Sequence, residues 1–160
     1  MREVARITEQ LQRAFDGDAW SGPSLQATLA GLTAAQAAAR PVAQAHSIGE
    51  LVCHLTTWTL TVAQRLEQRT LTPLAAPDWP PFPATPDEAA WQQARQELVR
   101  AHQRLLAAVQ RLPDADLDIV PDSGRYPATG SSDSWYVLLH GTAQHYLYHA
   151  GQVALLRKSF

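Results

Sequence analysis

The segment HSIGELVCHLTTWTLTVAQRLEQR, residues 46–69, has the apolar spacing and the start signal of a long helix. Ser47 and Glu50 match the S-x-x-E capping box, in which each side chain binds a free backbone N–H group at the helix start. The helix is predicted to continue to about Arg69, a length of roughly 33 Å at 1.5 Å per residue. It is the second of four long helices that the sequence predicts.

The other three long helices are predicted on both sides of this segment. The first covers about residues 2–15, the third runs through WQQARQELVRAHQRLLAAVQRL, and the fourth covers about residues 133–158. Two short helical pieces, PSLQATLAGL and TAAQAAARP, stand between the first and second helices, and no alternating strand pattern is visible. The predicted fold class is therefore all-α, a four-helix bundle that forms a single domain over residues 1–160.

A proline-rich stretch, TLTPLAAPDWPPFPATP, separates the second and third helices and cannot be regular helix. The third helix is predicted to begin after it with a capping box from Thr85 to Glu88. About seventeen extended residues span roughly 50 Å, which is long enough for a crossover between two parallel helices. Trp79 and Phe82 are expected to anchor residues 71–84 on the bundle, and the alternative is a disordered linker.

Three histidines lie on helix faces that are predicted to point inward. His145 and His149, four residues apart in HYLYHAG, share one face of the fourth helix, and His54 shares a face of the second helix with Trp58. Unpaired buried polar groups cost about 1–3 kcal/mol each, and one divalent cation would satisfy all three imidazoles. We therefore predict a divalent metal ion on these histidines, with open positions as in catalytic sites. The alternative is that all three are ordinary core residues.

Further residues are predicted around this site. Imidazole ligands usually donate their free N–H group to an acceptor, and Gln152, Tyr148 and Glu50 are candidates near the metal ligands, although capping alone explains Glu50. Trp58 is expected to contact the substrate. Cys53, the lone cysteine, is interpreted as a small core residue and not as a ligand or nucleophile.

The remaining histidines are not expected to join the metal site. His46 precedes the helix cap and is predicted to be exposed, and His102 is predicted to be solvated or at an interface. His140 lies about 140° from His145 around the fourth helix, so the two cannot easily share an ion. The motifs H-E-x-x-H, the paired E-x-x-H of di-iron bundles, the P-loop and the dinucleotide fingerprint are missing from the sequence.

Composition narrows the environment and the partners. The formal net charge is −2 and the pI is near 6.3, so no nucleic-acid partner is expected. No apolar run approaches the roughly 18–20 residues of a membrane span, and the N-terminus lacks the apolar core of a signal peptide. A single cysteine cannot form an internal disulfide, which favours a reducing compartment. A cytoplasmic location is therefore predicted, without a membrane partner.

The pairing of HSIGELVCHLTTW with the C-terminal LLHGTAQHYLYHAGQVALLRK resembles the DinB-like (DinB/YfiT-like) metalloenzyme family over nearly the whole chain. The resemblance implies an up-down-down-up four-helix bundle with a long crossover. It also implies a metal triad of one histidine on the second helix and an H-x-x-x-H pair on the fourth, matching His54, His145 and His149. The implied ion is zinc or nickel, with iron or manganese as further options, and the implied assembly is a homodimer. Many relatives have an acidic residue where this chain has Tyr146, a position that points away from the site.

The same resemblance implies chemistry with low-molecular-weight thiols such as bacillithiol, mycothiol or glutathione. We predict a metal-dependent thiol S-transferase in which the metal activates the thiol for attack on an electrophilic substrate held near Trp58. The sulfur would come from outside the chain, because Cys53 is expected to face elsewhere. The alternative is a non-catalytic metal-binding or stress-response protein on the same bundle.

Overall fold

The computed structural model describes residues 2–121 and 133–160, and every regular element in these ranges is helical. The long helices are α1 (Glu3–Phe15), α4 (Ile48–Gln68), α5 (Glu88–Gln110) and α6 (Trp135–Arg157). Two short helices, α2 (Leu25–Leu29) and α3 (Ala34–Ala38), precede α4, and a 3₁₀ helix, Asp114–Asp116, follows α5. The all-α prediction is confirmed for these ranges, and the single domain stays a prediction. None of these helices has the length and apolarity that crossing a membrane requires.

Helix α4 begins with the predicted capping box. The Ser47 hydroxyl accepts the N–H group of Glu50 at 3.2 Å, and the Glu50 carboxylate accepts the N–H group of Ser47 at 2.9 Å. Arg69 follows the last helical residue in the left-handed region, with φ at 56°, and ends the helix. Local signals therefore define both ends of α4, and they fix where His54 lies along this helix.

The predicted capping box of α5, from Thr85 to Glu88, is wrong. Asp87 caps this helix, since its carboxylate accepts the N–H group of Ala90 at 2.8 Å. The carboxylate of Glu88 instead accepts the N–H group of Ala34 at 2.7 Å. Aspartate is at least as good an N-cap as threonine, and Glu88 is used to connect α5 with the start of α3.

Apolar faces of the long helices form a common core. Helix α4 packs on α5 and α6, and α1 packs on the same two helices. Each fully buried large side chain contributes about 1.5–3 kcal/mol relative to an exposed one. The largest of these side chains are Trp91, Trp135, Tyr146, Phe15, Ile7 and Leu11. This packing holds α4 and α6 in a fixed arrangement, and the candidate site lies between them.

Polar contacts relate the ends of the long helices. Glu67, near the end of α4, forms an ion pair with Arg104 in the second half of α5 at 2.6 Å. The carboxylate of Asp114, just after α5, accepts the N–H groups of Glu3 and Val4 at 2.8 and 3.1 Å. The C-terminal ends of α4 and α5 therefore lie side by side, and the start of α1 lies at the same end.

The segment between α4 and α5 packs on the bundle through Phe82. The Phe82 ring lies so close to Gly49 that a Cβ atom there would be 2.1 Å from the nearest ring carbon. The same ring meets Trp91 edge-on, with the centroids 6.0 Å apart. The predicted anchoring of residues 71–84 is thus confirmed at Phe82.

His102 is buried, so its predicted solvated or interface position is wrong. Its ring stacks on Phe15 with centroids 3.8 Å apart and planes at 6°, and Nδ1 lies 3.3 Å from the Tyr146 hydroxyl. The charged neighbours of His102 along α5 lie on other faces of that helix, which is why they did not indicate its environment. Burial lowers the pKa of His102 to about 4, so the imidazole is neutral near pH 7.

Candidate metal centre

Three histidines meet between α4 and α6. Nε2 of His145 lies 3.1 Å from Nε2 of His54 and 2.8 Å from Nε2 of His149. One ligand atom from each residue lies within 4.8 Å of the others, His54 and His149 are buried, and His145 is half-buried. The structure therefore brings together all three predicted ligands, and no other such cluster of potential ligands occurs within residues 2–121 and 133–160.

The outer nitrogens of two cluster histidines already have acceptors. Nδ1 of His54 lies 2.7 Å from the carbonyl oxygen of Asp78, and Nδ1 of His149 lies 2.6 Å from Oε1 of Gln152. A neutral imidazole carries one ring proton, so both Nε2 atoms direct lone pairs at His145. His145 can donate a proton to only one of them. A divalent cation satisfies all three nitrogens at once, and the donor set therefore fits a metal ion.

The spacing of the nitrogens suits such an ion. Zinc binds imidazole nitrogen at 2.0–2.1 Å, so two nitrogens of a tetrahedral site lie about 3.3 Å apart. The separations of His145 Nε2 from the other two Nε2 atoms, 2.8 and 3.1 Å, lie slightly below this value. Imidazole donors suit zinc, nickel, iron and copper alike, and the ligand set alone does not select among them.

The local electrostatics keep the imidazoles of His145 and His149 in the neutral form that metal ions bind. Burial, followed by the positive charge of His149 and His54, lowers the pKa of His145 to about 4, although the negative charge of Asp78 acts in the opposite direction. Burial also lowers the pKa of His149, although the hydrogen bond with Gln152 acts in the opposite direction. Metal ions bind neutral imidazole, so at pH 7 no proton has to be removed from these two rings before binding.

The segment between α4 and α5 supplies two neighbours of the cluster. The Trp79 ring lies between the rings of His46 and His54, with centroid distances of 3.6 and 3.9 Å and interplanar angles of 2° and 8°. The Asp78 carboxylate accepts the indole N–H group of Trp58 at 2.7 Å. Trp79 was predicted as an anchor, but Asp78 was missed. Nδ1 of His54 lies 2.7 Å from the backbone carbonyl oxygen of Asp78 and 3.2 Å from its Oδ1, and no local sequence signal shows which residue of an irregular segment reaches α4.

The three predicted outer residues are placed differently. Among the described residues, Gln152 is the one of the three that hydrogen-bonds a cluster histidine. Tyr148 is 66 % exposed and its ring meets that of His149 edge-on, with centroids 5.2 Å apart. Glu50 is occupied by the capping box and lies 3.3 Å from Nδ1 of His46, which is exposed as predicted.

Two cavities reach the cluster from different parts of α6. The first has a volume of about 340 Å³, includes Trp58 and Thr142 in its wall, and touches His145. The second has a volume of about 380 Å³, includes Trp79 and Tyr148 in its wall, and touches His149 and Gln152. Small molecules can therefore approach the cluster, and Trp58 lines the first cavity, while its contact with a substrate stays a prediction.

Cys53 and His140 stay apart from the cluster. Burial, followed by the negative charges of Glu97 and Glu50, raises the pKa of the Cys53 thiol to about 11, so it is protonated near neutral pH. The ring of His140 lies beside Tyr136, with centroids 4.3 Å apart, and His140 is not among the clustered ligands. Neither residue is placed to bind the same ion or to serve as its nucleophile.

Comparison with protein families matches residues 18–153 to the DinB superfamily. Comparisons with curated proteins and with solved structures give no match. The matched range covers most of the chain and contains the whole three-histidine cluster. The chain therefore belongs to the DinB superfamily.

Proposed function

We propose that this protein is a divalent-metal-dependent S-transferase, which joins the sulfur of a low-molecular-weight thiol to an electrophilic substrate. The observation that carries the proposal is the cluster of three Nε2 atoms, buried between α4 and α6 and reached by a cavity of about 340 Å³. Membership of the DinB superfamily agrees with a metal-binding role. Thiols of the bacillithiol, mycothiol or glutathione type are the proposed sulfur donors.

The residues of the chain have distinct parts in this proposal. His54, His145 and His149 would hold the ion, and a coordinated nitrogen cannot also act as a general base. A bound divalent ion supplies Lewis-acid chemistry that lowers the pKa of a coordinated thiol. The sulfur comes from outside, because Cys53 remains protonated. Trp58 offers an apolar wall to the electrophile. The overall reaction forms one sulfur–carbon bond and releases the leaving group with the thiol proton.

The proposal extends to the architecture. The four long helices would follow the up-down-down-up order, with residues 69–87 as the crossover. The side-by-side C-terminal ends of α4 and α5 support this order, and so do the contacts of Thr59 and His54 in α4 with Tyr146 and His149 in α6. We also propose zinc or nickel as the ion, a homodimer and a cytoplasmic location, which the resemblance and the composition favour. Light scattering coupled to size-exclusion chromatography measures the oligomeric state.

Metal analysis of protein purified without a histidine tag tests the site. We expect about one divalent ion per chain, and a sharp loss of metal when His54, His145 or His149 is replaced by alanine. His140→Ala is the matched control, because it removes a histidine from α6 outside the cluster and should retain the metal. Helical circular dichroism should remain largely intact in every variant. Full occupancy in His149→Ala would refute the assignment.

Thiol consumption tests the reaction. Metal-loaded protein is supplied with bacillithiol, mycothiol or glutathione and a chlorinated aromatic electrophile, and the conjugate is quantified against the His145→Ala variant. We expect at least one thiol to react faster with the unaltered protein. If none does while metal binding is retained, the S-transferase proposal fails and the alternative of a non-catalytic metal-binding protein replaces it.

A further inference from the structure

We propose that Asp78 and Trp79, here called the 78–79 clamp, are positioning residues that fix the imidazole of His54 for metal binding. The inference rests on the proposed metal centre. It assigns the orientation of one ligand to the segment between α4 and α5 and not to the helices of the bundle.

The two clamp residues constrain different motions of the His54 ring. The hydrogen bond from Nδ1 to the Asp78 carbonyl oxygen, at 2.7 Å, sets the direction of the nitrogen within the ring plane. The Trp79 ring, stacked at 3.9 Å with planes 8° apart, sets the plane itself. Together these contacts fix Nε2 on the opposite side of the ring, where it faces His145. A ligand held in this way loses little conformational freedom when a metal binds.

The clamp is itself attached to α4 and its cap on either side of His54. The Asp78 carboxylate accepts the N–H group of Trp58 at 2.7 Å, and the second face of Trp79 stacks on His46 at 3.6 Å. The Trp79 side chain is 36 % exposed and the Asp78 side chain 49 % exposed. Residues so open to solvent contribute little to the core, which separates their positioning role from general packing.

Side-chain replacement should loosen the clamp without removing its backbone carbonyl. Loss of a group that orients a metal-bound imidazole typically weakens metal affinity by about 10–100-fold. Trp79→Ala removes the stacked ring and should fall in this range, whereas Trp79→Phe retains a flat ring and should lose less. Asp78→Ala removes Oδ1, which accepts the Trp58 N–H group and lies 3.2 Å from Nδ1 of His54, and it should lose about 10-fold in affinity. Asp78→Asn retains an oxygen acceptor and should restore most of the affinity.

Cobalt(II) titration of metal-free protein, followed by the visible absorption of the bound ion, measures these affinities. Trp20→Ala is the matched control, because this side chain is fully exposed and its loss should leave the affinity unchanged. A double-mutant cycle between Trp58→Phe and Asp78→Ala tests whether the two act through one hydrogen bond. We expect the double variant to bind cobalt no more weakly than the weaker single variant. Independent, additive losses would overturn the attachment of the clamp through Trp58.

The outcomes separate the clamp from the metal centre. If His54→Ala abolishes cobalt binding while Trp79→Ala and Asp78→Ala bind with unchanged affinity, the clamp is overturned and the centre stands. Equal losses in Asp78→Ala and Asp78→Asn would also overturn it. No cobalt binding by the unaltered protein would overturn both proposals. Should Trp79→Ala fail to fold by circular dichroism, Trp79→Phe and the Asp78 pair decide the question.

Discussion

Acid should destabilise this fold through His102, which is buried between α1 and α6 and lies outside the metal-binding cluster. One face of its ring covers Phe15, and Nδ1 contacts the Tyr146 hydroxyl. Nε2 is buried and has no hydrogen-bond partner among the described residues. A second ring proton would therefore be placed in an apolar environment without an acceptor, and the folded state resists protonation of this imidazole.

The size and sign of the effect follow from the two pKa values. Burial lowers the pKa of His102 from 6.5 to about 4 in the folded protein, so the unfolded chain binds the proton first as the pH falls. The corresponding stability is fully present above pH 6.5 and is lost progressively between pH 6.5 and about 4. Proton linkage between these values gives a loss of about 2 kcal/mol from pH 7 to pH 5. That is a large part of the roughly 5–15 kcal/mol that stabilises a typical domain.

Urea unfolding of metal-free protein at pH 7 and pH 5, followed by circular dichroism, measures the loss in free energy of unfolding. His102→Phe is the comparison, because phenylalanine keeps a flat ring on Phe15 and the Tyr146 hydroxyl keeps its 3.0 Å contact with Thr59. All other ionisable groups are the same in both proteins, so their contribution cancels in the difference. The variant should lose about 2 kcal/mol less than the unaltered protein between the two pH values. Equal losses would refute the reasoning.

Three further predictions concern packing, surface charge and metal release. Gly49→Ala should lower the free energy of unfolding by about 1–3 kcal/mol, because the new Cβ would displace the Phe82 ring; a raised melting temperature would contradict this. Glu67 and Arg104 form a partly exposed ion pair, so a double-mutant cycle should give a coupling free energy of about 0.2–1 kcal/mol that weakens with salt. A coupling free energy that is insensitive to salt would contradict a solvated pair. Bound metal should be released as the pH falls toward 4, because protons compete with the metal for the imidazoles and the pKa of His145 is about 4. Metal that equilibrium dialysis finds still bound at pH 3 would argue against histidine ligands.

Local signals explain the parts of the structure that the sequence predicted well. The capping box of Ser47 and Glu50 satisfies helix-end N–H groups within four residues, so no distant contact is needed to start α4. The spacing of His145 and His149 places them on one face of any α-helix. Adding His54 required a tertiary assumption, namely that the apolar faces of two long helices turn toward each other. The burial of both helices bears that assumption out.

The residues that were misjudged or missed depend on distant contacts. Thr85 and Asp87 are both acceptable N-caps by residue type. Asp87 caps α5, and the neighbouring Glu88 accepts the N–H group of Ala34 at the start of α3, a contact between segments far apart in the sequence. His102 follows charged neighbours in sequence, yet its environment is set by Phe15 from another helix. Asp78 contacts His54 through both its backbone carbonyl oxygen and its carboxylate, but it lies 24 residues away in an irregular segment whose path the sequence does not indicate.

Burial of histidine does not by itself indicate a metal site in this protein. His102 is as deeply buried as His54 and His149, but its partners are an aromatic ring and a hydroxyl. One imidazole nitrogen without a partner costs about 1–3 kcal/mol, which a folded domain can tolerate. At the cluster, three Nε2 atoms converge while the outer nitrogens of His54 and His149 are bonded to oxygen acceptors. That convergence of lone pairs cannot be satisfied by the single proton of His145, and it is this feature that distinguishes a ligand set from an ordinary buried imidazole.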